Sequence, residues 1–266
     1  QITRYQDDHI PPGGRLCSFE GEFRQKKKAC LAALCLFFLP LTVPAEPSPA
    51  VEKRVEGLLT QMTTAEKLRM IGGTRSFYTH GFPKLGIPEL KMSDGPLGVR
   101  CYGLSTAYPA PIALAASFDT SLAQRMGQSL GQDSRSFGVH VLLAPGMNLY
   151  RAPMCSRNFE YLGEDPLLAG QMAVHYIRGV QSQGVMATAK HFVCNNNEYG
   201  RMDHSSDVDE RTLRELYLPA FEASVKQGKV ATIMDAYNLV DGVHMTENSR
   251  LNTEIAKKEW GFDGFI

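Results

Sequence analysis

Apolar and polar positions follow two rhythms along this chain, and the two alternate from about residue 46 to the end. Largely apolar, strand-like runs at 86–92, 112–118, 139–143, 185–189, 230–233 and 264–266 predict strands buried on both faces. Amphipathic stretches at 50–71, 119–137, 166–183, 209–226 and 248–260 predict helices. Several carry their own start and stop signals. Met62-Thr63-Thr64 with Glu66 has the form of a capping box, and Asp119 suits an N-cap ahead of a stop at Gly138. Pro166 fits a first helical turn that ends near Gly184. Leu213, Leu216, Leu218, Phe221 and Val225 fall largely along one face of 209–226. Strand then helix, repeated without hairpin signals, predicts a parallel sheet covered by helices. A doubly wound sheet and a (β/α)8 barrel share this pattern, and a length near the ~250 residues of a typical barrel leans towards the barrel.

The first 45 residues break the alternation. Arg24 and Lys26 to Lys28 precede an apolar run over 29–39, Pro40 stops it, and Val43-Pro44-Ala45 offers small residues for cleavage. That order is the pattern of an export signal over 24–45, which predicts a periplasmic or extracellular protein. The run is shorter than the ~20 apolar residues a membrane span needs, so no stable membrane anchor is expected. Residues 1–23 show no sustained periodicity and read as upstream sequence rather than a domain, leaving 46–266 as the folded part.

Composition narrows the function. The 266 residues carry 28 basic and 28 acidic side chains and 43% hydrophobic residues, which fits a globular chain. A net charge of zero argues against a nucleic-acid partner, whose affinity depends on phosphate neutralisation. Six cysteines are too few for a disulfide scaffold, and Cys101, Cys155 and Cys194 are isolated, as structural thiols would be. No phosphate loop, dinucleotide fingerprint or helical His-x-x-x-His pattern is present, so neither a metal nor a cofactor is expected.

Candidate chemistry gathers just after the predicted strands, where a barrel builds its active site. Asp94 and Arg100 flank a Gly-Pro turn that would bring both side chains to one mouth. Arg157 and Glu160 lie in a loop dense in Arg, Asn, aromatic and Pro residues. Lys190 and His191 follow an apolar run, with Asn195, Glu198 and Arg201 close behind, and Tyr237 follows 230–233. A lining of Asp, Arg, Lys, His and Tyr suits a ligand with many hydroxyls in fixed directions, such as a sugar. Lys190 would alternatively serve a Schiff-base aldolase.

Taken in order, these motifs resemble glycoside hydrolase family 3, specifically the N-terminal barrel domain of its β-glucosidase-type members. The likeness spans roughly 50–266 and rests on Asp94-Gly95-Pro96 with Gly98-Val99-Arg100, Arg157-Asn158-Phe159-Glu160 with Gly163-Glu164-Asp165-Pro166, and Lys190-His191-Phe192. Arg211-Thr212-Leu213-Arg214-Glu215, Tyr217-Leu218-Pro219-Ala220-Phe221, Tyr237-Asn238 and Gly261-Phe262-Asp263-Gly264 complete the set. The resemblance implies an α/β fold, a (β/α)8 TIM-type barrel incomplete at its C-terminal end. It implies a retaining β-glucosidase acting on terminal non-reducing β-D-glucosyl residues of β-glucosides or oligosaccharides.

By the same resemblance, Asp94 holds the outer hydroxyls of the glucosyl unit, and Arg100, Arg157, Lys190, His191 and Arg201 line that subsite. Tyr237 matches the tyrosine beside the nucleophile. The nucleophile itself, an Asp, is expected just beyond Ile266 and the general acid in a later domain, so no catalytic residue is assigned within the chain. Asp235 is a local departure from the family rather than a substitute, and Glu160 belongs to a structural part of its motif. Alternatives within the resemblance are a β-xylosidase, a β-N-acetylglucosaminidase or a non-catalytic sugar-binding fragment. Val193-Cys194-Asn195-Asn196 in place of Pro-Gly-His-Gly counts against the acetylglucosaminidase.

Overall fold

The structure, a computed structural model, describes residues 49–266. The export-signal reading of 24–45 and the upstream reading of 1–23 therefore lie outside the described residues.

The predicted helix over 50–71 is two helices, α1 (Pro49–Gln61) and α2 (Thr64–Ile71). The capping box breaks it. Thr63 Oγ1 accepts from the Glu66 amide at 3.2 Å, and Glu66 Oε2 accepts from the Thr63 amide at 2.8 Å. An N-cap satisfies the free amides of a helix start, so it ends the helix before it.

Four parallel strands follow, β1 (Met92–Asp94), β2 (Val141–Leu143), β3 (Met186–Phe192) and β4 (Thr232–Asp235), hydrogen-bonded in that order. Met92 lies opposite Val141, Val141 opposite Met186, and Thr188 opposite Thr232. β2 is buried throughout, as a parallel strand covered on both faces must be. The predicted strand at 264–266 is reduced to one parallel bridge, Thr232 to Phe265.

The predicted strand at 112–118 is instead a helix, α3 (Pro111–Ala115). Pro111 takes the first-turn position, and Ala113 and Ala115 are strong helix formers. Leu114 and Ala115 are buried while Ile112 and Phe118 are exposed, and so short an apolar run does not separate strand from helix by its period.

α4 (Thr120–Ser136) and α5 (Pro166–Gln181) match their predicted spans closely and pack against one another across glycines. α5 is capped by Asp165, whose Oδ1 accepts from the Leu168 amide at 2.6 Å, with Pro166 next in the chain. Replacing Asp165 by Ala is expected to lower stability by about 1 kcal/mol, read as a shift in the urea midpoint at constant slope.

The predicted helix over 209–226 is interrupted. A turn at Glu210–Thr212 leads into a π-helical stretch, Leu213–Tyr217, before α6 (Pro219–Lys226). Pro219 has no amide to give and its ring would strike the carbonyl four residues back, so the helix widens there. The Leu218 amide accordingly bonds Leu213 O, five residues back, at 2.9 Å. Asp241 and Gly242 form a two-residue hairpin turn between Val240 and Val243, with φ of 50° and 78°.

The core lies between sheet and helices, with Leu130, Leu142, Met172, Ile177 and Ala187 fully enclosed. Among the described residues no helix is long and apolar enough to cross a membrane.

Candidate functional site

The carboxyl ends of β1, β3 and β4 carry the site, as the sequence predicts for a barrel. Asp94 is the last residue of β1. Behind it the backbone doubles back so tightly that a Cβ on Gly95 would sit 2.3 Å from Gly98 O, a contact only glycine permits. The turn returns the Arg100 amide to Asp94 O at 3.2 Å and pairs the Arg100 guanidinium with Asp94 Oδ2.

Lys190, near the end of β3, is only 1% exposed, and a buried ammonium must find carboxylates. Its Nζ donates to Asp94 Oδ1 at 2.7 Å and faces Glu160 Oε2 at 3.5 Å. Glu160, fully buried in the loop after β2, pairs with Arg157 through Oε1. Arg157 reaches on to Glu198 at 3.8 Å, and Glu198 Oε2 holds Arg201 at 2.6 Å. The Arg201 guanidinium stands 4.6 Å over the ring of Tyr237, a cation–π contact at the exposed rim.

The sign of charge alternates along this chain from Arg100 through Asp94, Lys190, Glu160, Arg157 and Glu198 to Arg201. Alternation is what permits burial, because each carboxylate offsets the desolvation of two cations. Burial pushes the Asp94 carboxyl up, but Lys190 and Arg100 outweigh it and hold the group below the ordinary carboxylate value. Burial likewise opposes the charge on Arg157, and Glu160, Tyr161 and Glu198 more than restore it.

His191 is anchored through its main chain. Asn148 accepts from the His191 amide at 2.8 Å and donates to its carbonyl at 2.9 Å. Burial, then Lys190, Arg157 and Arg201, lower the His191 pKa well below its usual value, so the imidazole is neutral at pH 7.

Asp94, Arg100, Arg157, Lys190, His191, Arg201 and Tyr237, the seven residues that the resemblance places around the sugar, are brought into one network, His191 through Tyr161 and Asn195. The two carboxylates that join them, Glu160 and Glu198, stood outside that set, as did Asn148, Tyr161 and Asn195. One signal was available: each glutamate stands three residues from an arginine, in Arg157–Glu160 and Glu198–Arg201. Asp235 is elsewhere engaged. Its Oδ2 accepts from Asn252 at 2.9 Å, and burial pushes its carboxyl up to about 6 against that hydrogen bond.

Chemically, the cluster offers an ionised acceptor at Asp94 flanked by fixed cationic donors, the means of gripping vicinal hydroxyls. The Lys190 ammonium is committed to Asp94 and Glu160, so Schiff-base chemistry would have to dismantle both pairs. Among the described residues no three His, Cys, Asp or Glu side chains are grouped to share a metal ion. Cys101, Cys155 and Cys194 are free thiols, and burial raises the pKa of the latter two, which makes them poor nucleophiles.

Comparison with known proteins places this chain in a family. The beta-glucosidase BoGH3A of Bacteroides ovatus is 46% identical over 229 residues, covering 81% of this chain and 31% of its own length. A beta-glucosidase of Rhizobium radiobacter is 45% identical over 218 residues, covering 80% of this chain and 27% of its own. The chain thus spans about a third or less of the length of these relatives. Beta-glucosidase 3B from Thermotoga neapolitana, solved in complex with alpha-D-glucose, superimposes with a TM-score of 0.76 at 40% identity, over 80% of this chain and 33% of that one. The fold is accordingly the TIM-barrel-like α/β fold. Residues 53–266 match the glycosyl hydrolase family 3 N terminal domain, and the chain belongs to that family.

Proposed function

We propose that this chain forms the sugar-binding wall of a retaining β-glucosidase, one that removes terminal non-reducing β-D-glucosyl units from β-glucosides or oligosaccharides. The observation that carries the reading is Asp94, held ionised between Lys190 at 2.7 Å and Arg100 at the carboxyl end of its strand. A carboxylate so fixed accepts from two neighbouring hydroxyls, while Lys190, Arg157 and His191 donate to the same ring. Arg201 and Tyr237 form the rim where the sugar enters. The glucose complex of the Thermotoga neapolitana relative supports the choice of ligand.

Retaining hydrolysis needs two carboxyl groups about 5–5.5 Å apart, one able to attack and one able to give a proton. Asp94, Glu160 and Glu198 are each engaged by cations, which suits Asp94 to gripping hydroxyls, Glu160 and Glu198 to holding those cations in place, and none of the three to donating a proton. The reading therefore assigns nucleophile and general acid to other residues of the protein. Export is part of the same proposal, supported by the basic and apolar pattern over 24–45.

Glucose titration followed by calorimetry tests it. The chain should bind glucose, and Asp94→Asn, which keeps the shape but not the charge, should weaken Kd about tenfold, the worth of one charge-assisted hydrogen bond. Unchanged affinity in a folded Asp94→Asn variant would remove the assignment. Stronger binding of xylose or N-acetylglucosamine than of glucose would redirect it to those substrates.

A further inference from the structure

We propose that Glu198, Asn195 and Tyr161 form a relay of hydrogen bonds that fixes His191 as the Nε2–H tautomer, so that its ring is an N–H donor to the ligand. The relay concerns the tautomer alone. That the ligand is a sugar rests on the reading above.

The argument runs inward from the charged end. Glu198 is the ion-pair partner of Arg201 and Arg157, so its oxygens accept. The Asn195 atom 3.0 Å from Glu198 Oε1 must therefore be the amide nitrogen, which settles the orientation of that amide. The same nitrogen lies 3.2 Å from the Tyr161 hydroxyl, and its second hydrogen goes there. Tyr161 Oη thus accepts from Asn195 and keeps one proton to give. Its remaining partner is His191 Nδ1, at 3.1 Å. Nδ1 accepts that proton, so the hydrogen of the neutral ring sits on Nε2.

The opposite tautomer would make Tyr161 accept from both sides and leave its own O–H without an acceptor. Tyr161 is fully buried, so water cannot supply one, and a buried unmet donor is costly. A doubly protonated ring is disfavoured separately, by burial and by Lys190, Arg157 and Arg201. The imidazole stacks edge-on against Tyr161 with centroids 6.0 Å apart, and Asn148 clamps its backbone on both sides. Nε2 makes no hydrogen bond to any described residue and is left for a ligand.

Tyr161 is on this view a positioning residue. It holds a proton on the far nitrogen of a ring that touches the ligand. An arginine or lysine would donate with a full charge. A neutral N–H of fixed direction adds a donor to a site already rich in cations.

Nitrogen-15 spectra of the histidine-labelled chain test the proposal, with the His191 signals identified by their loss in His191→Gln. The expected result is a pyrrole-like Nε2 and a pyridine-like Nδ1. Tyr161→Phe, close in shape, should move both signals towards a mixture of tautomers and weaken glucose binding roughly fivefold to tenfold, the worth of one hydrogen bond. Glu198→Gln frees the Asn195 amide to turn and should shift the same signals less. A merely structural tyrosine would lower the melting temperature and leave the His191 signals in place. A dominant Nδ1–H form in the unaltered chain, or identical His191 signals in a folded Tyr161→Phe variant, would overturn the relay. An Nε2–H ring in a chain that binds no glucose would leave the relay standing and overturn the sugar reading instead.

Discussion

Replacing Glu160 by leucine is expected to destabilise the folded chain by about 3–5 kcal/mol, the cost of stripping one partner from a buried ion pair. Glu160 is fully buried and stands between Arg157 and Lys190, the latter with a side chain only 2% exposed. Leucine fills much the same space, so packing contributes little to the loss. The cost comes from Arg157, deprived of its nearest carboxylate, and from Lys190, left with Asp94 alone. Urea unfolding measures it as a fall in midpoint at unchanged slope. Glu160→Gln keeps an acceptor for Arg157 without the charge and should lose less. Adding Lys190→Met to the leucine variant should recover part of the loss, because the second stranded charge is then gone; the two effects are coupled and will not add. A loss below about 1 kcal/mol in Glu160→Leu would mean that water reaches these cations and that the ion-pair chain contributes little to the fold.

The same cluster marks where sequence reasoning succeeds and where it stops. Asp94 and Arg100 were readable because they lie six residues apart on one glycine turn, and their meeting is a local event. Lys190 was readable as a charge at the end of an apolar run. Its partner was not, since Asp94 lies 96 residues away and only strand order decides that β1 and β3 deliver both to one mouth. Glu160 and Glu198 were underrated for a related reason. A carboxylate three residues from an arginine looks like a surface pair until burial is known. The misread strand at 112–118 has another cause. Apolar residues stand at its exposed positions, Ile112 and Phe118, as well as at its buried ones, so no polar spacing distinguishes a helix from a strand, and Pro111 was the remaining clue. At Thr63 the local signal was present, and it marked the start of α2 within what reads as one amphipathic run.

Gly179→Ala, in the last turn of α5, should cost about 3 kcal/mol, although alanine is the better helix former by up to about 1 kcal/mol. A Cβ there would lie 2.2 Å from Gln124 O and 2.9 Å from the Gln128 amide nitrogen, both main-chain atoms of α4. Overpacking typically costs about 1–3 kcal/mol where side chains can turn aside, and main chain within a helix cannot. Relief requires the two helices to separate, which opens voids around Leu130 and Ile177 in a core that is otherwise fully enclosed. Gly127 faces the same constraint from the other side, its Cβ falling 2.2 Å from Tyr176 O, so the two glycines define one crossing point. Gly57 in α1 provides the contrast. A Cβ there meets nothing within 4 Å, so Gly57→Ala should raise stability by up to about 1 kcal/mol. Thermal or urea unfolding of the two variants separates the causes. If both were stabilised, propensity would rule and α4 and α5 would not be in close contact. Opposite signs require the close crossing, and with it the packing of α4 and α5 that backs the strands carrying Asp94 and Lys190.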